Sequence, residues 1–402
     1  MKILIICEHF FPLTGAQALQ ATKVADALSL AGCEVRILCG ARQVQGAESA
    51  YPVYFVETVP YGGSNNILDR VVRRVRHEFN DINAEGEWIN AMVEKAIEME
   101  REFKPDVIMT QSTPFRSHLV GLRLPSEMRE KWVAYFSDLW PLCLTPYPYR
   151  TTLSNILSFV QLRSLGRVLG TARKIIMSSD ESVFQITRKF PHIDPEKFFS
   201  VAHIGTPPSG LAPSAMESEH YASRFVHVGR LTRERTCPEL VTAIGKLVEE
   251  EGTSGARFPG FTFVGWVDQE FRERCVELER SGAIEFVGDV DPTVAQSICT
   301  AAGVLVVIEA NMPESPFLPS KFSDYAMLRK PILSISPPGP IRRYLSRHGG
   351  GVATGHNARD IQDAMRSLIK NKHSTSDGVR LAALFDAGHV AQKYIEIFGR
   401  QV

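Results

Sequence analysis

Short apolar runs recur along the chain, each followed by a stretch with helical spacing. Lys2–Cys7, Glu34–Cys39, Tyr54–Val59, Pro105–Met109, Lys174–Met177 and Phe198–Val201 are such runs in the first half, with the apolar string from Trp132 toward Asp138 beside them. Little polar alternation breaks them, as expected for strands buried on both faces of a parallel sheet. The first helix opens near Thr14-Gly15 and runs to about Leu30, where Ala31-Gly32 stops it. The pattern then restarts at Phe225, and Phe261–Trp266, Ile284–Gly288, Gly303–Ile308 and Pro331–Ile335 read as further strands of a second set. Strand and helix alternate throughout, which predicts βαβ units. From Pro207 to about Ser223 the chain is rich in Pro, Ser, Gly and Ala and reads as a linker. The expected division is 1–205, a linker 206–223, 224–385, and a terminal segment 386–402 whose helix covers roughly Ala387–Phe398.

Length agrees with two α/β domains, since 402 residues are too many for one core. Lys plus Arg and Asp plus Glu number 45 each. No global field therefore favours nucleic acid, and none is expected as a partner. Seven cysteines are scattered without a Cys-x-x-Cys, which argues against a disulfide framework or a zinc site and for a reducing compartment. The apolar start is too short for a signal peptide, with Glu8 and His9 following at once. No window reaches the ~18 apolar residues of a membrane span, so a cytoplasmic location is expected.

One charge cluster qualifies this picture. Residues 66–79 carry Arg70, Arg73, Arg74 and Arg76 among Leu68, Val71, Val72 and Val75, an amphipathic basic helix. Such a helix can lie on an anionic membrane surface, here the inner face; a solvated helix face is the competing reading.

The richest chemistry lies between the last two runs. Residues 314–320 form a turn with Pro316 and Pro319, after which a helix is expected to open with Ser320 as its N-cap. Ligands of open α/β sheets collect beyond the carboxyl ends of strands, and helix N-termini attract anions. Backbone amides around Phe317 and Leu318, the Lys321 cation and the Asp324 carboxylate follow about a turn apart. A diphosphate bearing a ribose needs such groups; on spacing alone an ordinary βα loop competes. Asp289-Val-Asp291 invites a metal reading, but it precedes a helix starting near Pro292, where Asp is a favoured cap.

Pro319-Ser-Lys-Phe-Ser-Asp-Tyr-Ala-Met-Leu-Arg-Lys-Pro-Ile-Leu resembles the donor-binding segment of GT-B glycosyltransferases, close to family 4 of the retaining enzymes. That family commonly reads Pro-Ser-Lys-x-x-Glu-Tyr-x-x-x-Gly-Lys-Pro. Here Asp324 stands for Glu and Arg329 for Gly, while Pro316 occupies the place of the first Glu of its Glu-x7-Glu pair. Val228-Gly-Arg-Leu-Thr-Arg-Glu-Arg235-Thr is similar to the family's Val-Gly-Arg-Leu-x-x-Glu-Lys-Gly, with Arg230 kept and Arg235 replacing Lys. The loop Pro12-Leu-Thr-Gly15 is similar to its Pro-x-x-Gly-Gly, and Asp138-Leu-Trp-Pro141 to a string in members that build surface polysaccharides.

The resemblance implies two Rossmann-like domains flanking a cleft, with the last helix crossing back to the first. It also implies a nucleotide diphosphate sugar donor and retention of configuration; with Asp289 and Asp291 read as turn and cap residues, neither cofactor nor metal is expected. Gly15, Arg230, Arg235, Phe317, Leu318, Ser320, Lys321 and Asp324 would bind the donor. His118 and Asp138, after strands of the first domain, would act on the transferred sugar or on the acceptor, a sugar or lipid-linked sugar. Two alternatives stand beside this: a catalytically silent sugar-nucleotide-binding subunit, and a sugar-nucleotide epimerase on the same fold.

Overall fold

The computed structural model describes residues 1–13, 15–40, 49–56, 86–150, 158–208, 213–254, 258–370 and 375–400. The basic stretch 66–79 with Arg70, Arg73, Arg74 and Arg76, and position Thr14, lie outside the described residues.

The chain divides into two compact units. The first comprises Met1–Thr145, Arg150–Ile204 and Ala387–Val402; the second comprises Pro146–Tyr149 and Gly205–Asp386. Among the described residues of the first unit, seven parallel strands form one sheet: β1 (Lys2–Cys7), β2 (Glu34–Cys39), β3 (Val53–Phe55), β4 (Val107–Ser112), β5 (Trp132–Phe136), β6 (Lys174–Met177) and β7 (Phe198–Ser200). Their order is β3-β2-β1-β4-β5-β6-β7. The core joins β1 and β2 to the helices Ala16–Leu30 and Ala387–Gly399, through Ile3, Ile5, Val24, Leu28, Val390 and Tyr394 among others. The terminal helix is pinned by a buried cation. Lys174 Nζ donates to the carbonyls of Ile397 (2.6 Å) and Phe398 (2.9 Å). Those carbonyls belong to the last turn, which lacks intrahelical donors and carries the negative end of the helix dipole.

The second unit repeats the plan with β8 (Phe225–Val228), β9 (Phe261–Val264), β10 (Ile284–Gly288), β11 (Val304–Ile308), β12 (Ile332–Ile335) and β13 (Gly351–Thr354), all parallel, in the order β10-β9-β8-β11-β12-β13. Phe225, Phe261, Phe263 and Phe271 are buried in its core with Val306 and Leu333. In both sheets the chain reverses direction of travel beside its first strand, at β1/β4 and at β8/β11. Crossovers leave these neighbours toward opposite sides, opening a crevice at their carboxyl ends.

Two expectations are corrected. The linker reading of 206–223 covers a helix, Ala215–Tyr221, closed by a capping box in which Ser214 and Glu217 satisfy each other's backbone amides. Small and polar residues there serve a helix start rather than a tether. The sequence reading also contained no strand at β13, whose glycine and alanine content hides it.

Candidate functional site

The β8/β11 crevice of the second unit collects most of the chemistry the sequence pointed to. Strand β8 ends at Val228, and Gly229 turns the chain with φ +110°. Lys321, on the first turn of the helix Ser320–Met327, reaches back and donates from Nζ to the Val228 carbonyl at 3.0 Å. A Cβ on Gly229 would stand 3.1 Å from that Nζ, and a Cβ on Gly265 would stand 2.9 Å from the Gly229 carbonyl oxygen. Glycine is thus required at both strand ends by conformation and by space. Burial is the main influence lowering the Lys321 pKa, to about 8, with the Arg235 guanidinium second and Glu309 opposing it.

Behind Lys321, His227 is fully enclosed on β8. Its Nδ1 lies 3.0 Å from the Val306 carbonyl, which can only accept, so Nδ1 carries the proton. Nε2 is buried without a partner. Burial, then Lys321, holds this imidazole well below its ordinary pKa, and it is neutral.

Directly after β11 comes Glu309, a carboxylate with no exposed surface. The Tyr149 hydroxyl and the Ala310 amide (2.8 Å) donate to Oε1, and Arg235 Nε lies 3.5 Å away. Arg235 Nε also donates to the Tyr149 hydroxyl at 2.9 Å. Tyr149, the last residue of the short Pro146–Tyr149 segment, meets the Phe317 ring edge-on at 5.4 Å. His356 Nε2 approaches the Glu309 carbonyl at 2.8 Å.

Several anticipated residues take roles different in detail. Ser320 is the first helical residue rather than the cap: Pro319 occupies the cap position, and no side chain caps the helix. First-turn amides are therefore left to other acceptors. Asp324 Oδ1 accepts from the amide (2.7 Å) and hydroxyl (2.8 Å) of Thr206, anchoring the start of the second unit. Arg230 is exposed, its guanidinium 5.2 Å over the Trp266 ring. Phe317 is half-buried with its amide donating to Ser315 Oγ at 3.2 Å, while Leu318 is buried. Asp291 caps the helix Pro292–Ala301, accepting from the Thr293 amide at 2.9 Å. Among the described residues, no three His, Cys, Asp or Glu side chains are grouped to hold a metal ion.

In the first unit, His118 is corrected. It lies on the helix Arg116–Arg123 with no exposed surface, between Phe115 and Phe136, its Nδ1 2.7 Å from the Thr110 hydroxyl. Burial lowers its pKa to about 3. A ring so enclosed by aromatics is a structural group of the core and cannot touch a substrate. Asp138, just past β5, is exposed and accepts from Gln17 Nε2 at 3.2 Å. Gly15 is the N-cap of Ala16–Leu30 with φ −65°, and a Cβ there would meet nothing within 4 Å. Open space rather than backbone strain is what this glycine offers. Buried, unpartnered atoms of His9, Gln20 and Gln111 lie nearby, around a cavity of about 10 Å³, the size for one water.

Sequence reasoning missed Glu309, Tyr149 and His227. Glu309 left a trace, a charged residue immediately after an apolar strand. The partnership with Tyr149 spans 160 positions and left none. A larger cavity of about 520 Å³ lies at the opposite, amino-terminal edge of the second sheet, by Arg224, Gly260, Gly282 and Gly303. Arg224 there is engaged by Thr262 Oγ1 (2.8 Å) and the Phe261 carbonyl (3.2 Å).

No protein-family model matches the chain, and no curated protein matches it in sequence. Solved structures match its fold across its whole length. Anabaena Alr3699/HepE, in complex with UDP and glucose, gives a TM-score of 0.63 at 15% identity, covering 100% of both chains. Sucrose-phosphate synthase from Thermosynechococcus elongatus gives 0.67 at 17%, covering 99% of this chain and 98% of that one. WaaG, a glycosyltransferase involved in lipopolysaccharide biosynthesis, gives 0.61 at 12%, covering 99% and 100%. The chain thus has the fold of GT-B glycosyltransferase structures, two Rossmann-like parallel-sheet units.

Proposed function

We propose that this protein is a glycosyltransferase that takes a sugar from a nucleotide diphosphate sugar and moves it to an acceptor hydroxyl in polysaccharide or glycoconjugate synthesis. One observation carries the reading. Lys321 and Arg235 converge on the β8/β11 crevice, beside a helix whose first-turn amides have no side-chain cap. The two cations and the amides suit a diphosphate, and the UDP found in the HepE structure supports that ligand class.

Departure of the sugar leaves growing negative charge on the diphosphate. Lys321 offers a point charge, ionised in most molecules at neutral pH because its pKa is about 8. Arg235 and Arg230 offer planar donors that can grip phosphate oxygens in pairs. Fixed charges in a partly dry crevice stabilise the leaving group without having to reorganise. The Leu318 amide and the first-turn amide of Ser320 complete the seat. Asp324, anchored on Thr206 through Oδ1, would meet the ribose from the same carboxylate. No protein nucleophile and no metal enter, and retention is the stereochemistry we expect. Asp138 is the exposed carboxylate of the first unit that we assign to the acceptor. A lipid-linked sugar would bring residues 66–79 to an anionic bilayer.

The test is incubation with UDP-, GDP- and dTDP-sugars, with and without an acceptor mixture, following both donor and free nucleoside diphosphate. Acceptor-dependent release of the diphosphate is expected. Conversion of the donor to an isomer without release would identify an epimerase, binding without turnover a silent subunit, and no binding would remove the reading altogether.

A further inference from the structure

We propose that Glu309 is a positioning residue, a buried counter-charge that fixes the Arg235 guanidinium and sustains the positive charge of Lys321 before the diphosphate arrives. The inference rests on the diphosphate seat proposed above and deepens it. A carboxylate inside an anion site is at first sight misplaced, since it repels the ligand. It is also fully buried, which is unfavourable unless the charge is paired and hydrogen-bonded. Here Oε1 has the Tyr149 hydroxyl, the Ala310 amide and Arg235, while Oε2 is buried with no partner at all. The approach of Arg235 to Oε1, with the Tyr149 hydroxyl shared between the two, points to a role for the charge itself.

That role follows from what faces Lys321. Arg235 stands against it as a like charge, and burial already disfavours its ammonium. From β8, His227 is neutral and adds no charge. From the helix Pro292–Ala301, Cys299 is a thiol whose pKa burial pushes up to about 12, so it is neutral too. From the helix of Lys321 itself, Asp324 acts on Cys299 and is turned onto Thr206, and the Tyr325 hydroxyl is bonded to the Val228 backbone. Among these described groups Glu309 is the carboxylate that favours the charged lysine. With Arg230 the seat holds three cations, and Glu309 offsets part of that charge from within the protein. Tyr149 fixes the geometry: its hydroxyl bridges Glu309 and Arg235, aiming the guanidinium while adding no charge.

The experiment is calorimetric titration of UDP-glucose, whose diphosphate does not titrate here, from about pH 6.5 to about pH 9. Wild type, Glu309→Gln, Tyr149→Phe and Lys321→Arg are compared, with circular dichroism as a check on folding. Wild-type affinity should fall above about pH 8, approaching tenfold per pH unit as Lys321 loses its proton. Glu309→Gln keeps an oxygen for Tyr149 and Ala310 but removes the charge, so its midpoint should move about one unit or more downward. Tyr149→Phe should weaken binding about threefold to tenfold at every pH with the midpoint unmoved. Lys321→Arg should abolish the alkaline loss. A Glu309→Gln profile parallel to wild type would overturn the proposal, even if binding is weaker throughout. Should the Gln variant fail to fold, persistence of the alkaline limb in Lys321→Arg would overturn it instead. Absence of UDP-glucose binding by wild type at every pH would reject the functional reading itself, a separate outcome.

Discussion

Replacing Gly265 or Gly229 by alanine separates the structural from the binding role of the β8/β9/β11 edge. Both glycines have positive φ, +109° and +110°. Any Cβ at such a backbone angle is strained, at about 1–2 kcal/mol. At Gly265 the new methyl would also meet the Gly229 carbonyl oxygen at 2.9 Å and Cα at 3.3 Å. Those are backbone atoms of a neighbouring strand end and cannot swing aside, so overpacking adds about 1–3 kcal/mol. Gly265→Ala should therefore lose about 2–5 kcal/mol of stability. At Gly229 the nearest atoms are Lys321 Nζ at 3.1 Å and Cε at 3.7 Å, the far end of a flexible side chain. Gly229→Ala should lose only the backbone part, about 1–2 kcal/mol, while pushing Lys321 off the Val228 carbonyl and away from the phosphate. A charge-assisted hydrogen bond is worth about 1.5–3 kcal/mol, or roughly tenfold to a hundredfold in Kd. Urea unfolding gives the first quantity and titration with UDP-glucose the second. Normal donor affinity in a folded Gly229→Ala, or a Gly265→Ala no less stable than Gly229→Ala, would refute the reasoning.

Arg230→Ala and Lys321→Ala should each reduce turnover by about 10²–10³ while leaving the circular dichroism spectrum intact, because each removes a cation from the developing phosphate charge. Turnover near wild type in either would exclude that cation from the seat. His118 is held at a pKa of about 3 against its ordinary 6.5, so the unfolded chain binds the proton more readily. Stability is unaffected above about pH 6.5 and is lost as pH falls from there toward about 3, at no more than about 1.4 kcal/mol per unit. His118→Phe should show a loss between pH 7 and pH 5 smaller by up to about 2 kcal/mol, read from urea unfolding; equal losses would place the acid sensitivity elsewhere. Transfer should continue undiminished in excess chelator, and a loss restored by magnesium or manganese would return Asp289 and Asp291 to a metal role.

The strands were legible because parallel, doubly covered strands are apolar throughout. Lys2–Cys7, Glu34–Cys39, Lys174–Met177 and Ile284–Gly288 were read with the limits the structure has. Gly351–Thr354 was not, since small residues at a sheet edge carry no such signature. In 214–217 the Ser-x-x-Glu capping signal was present but lay in a stretch whose Pro and Gly dominated the reading. Of the site, Arg230, Arg235 and Lys321 were legible through their place after strands and through motif likeness. Glu309, Tyr149 and His227 were not, because their meaning lies in contacts between distant positions. His118 misled for the same reason: the Phe115 and Phe136 rings that enclose it come from two different elements. The roles of Ser320 and Asp324 turned on side-chain direction, a matter of one residue of helix phase and of one distant threonine.

The most direct test of the diphosphate seat is an experimental structure of the protein bound to UDP. The diphosphate should lie in the β8/β11 crevice of the second unit. Its oxygens should be within hydrogen-bonding reach of Lys321 Nζ and the Arg235 guanidinium, against the first-turn amides of Ser320–Met327. A nucleotide in the cavity beside Arg224 at the opposite sheet edge, or one held only by the first unit, would contradict the account.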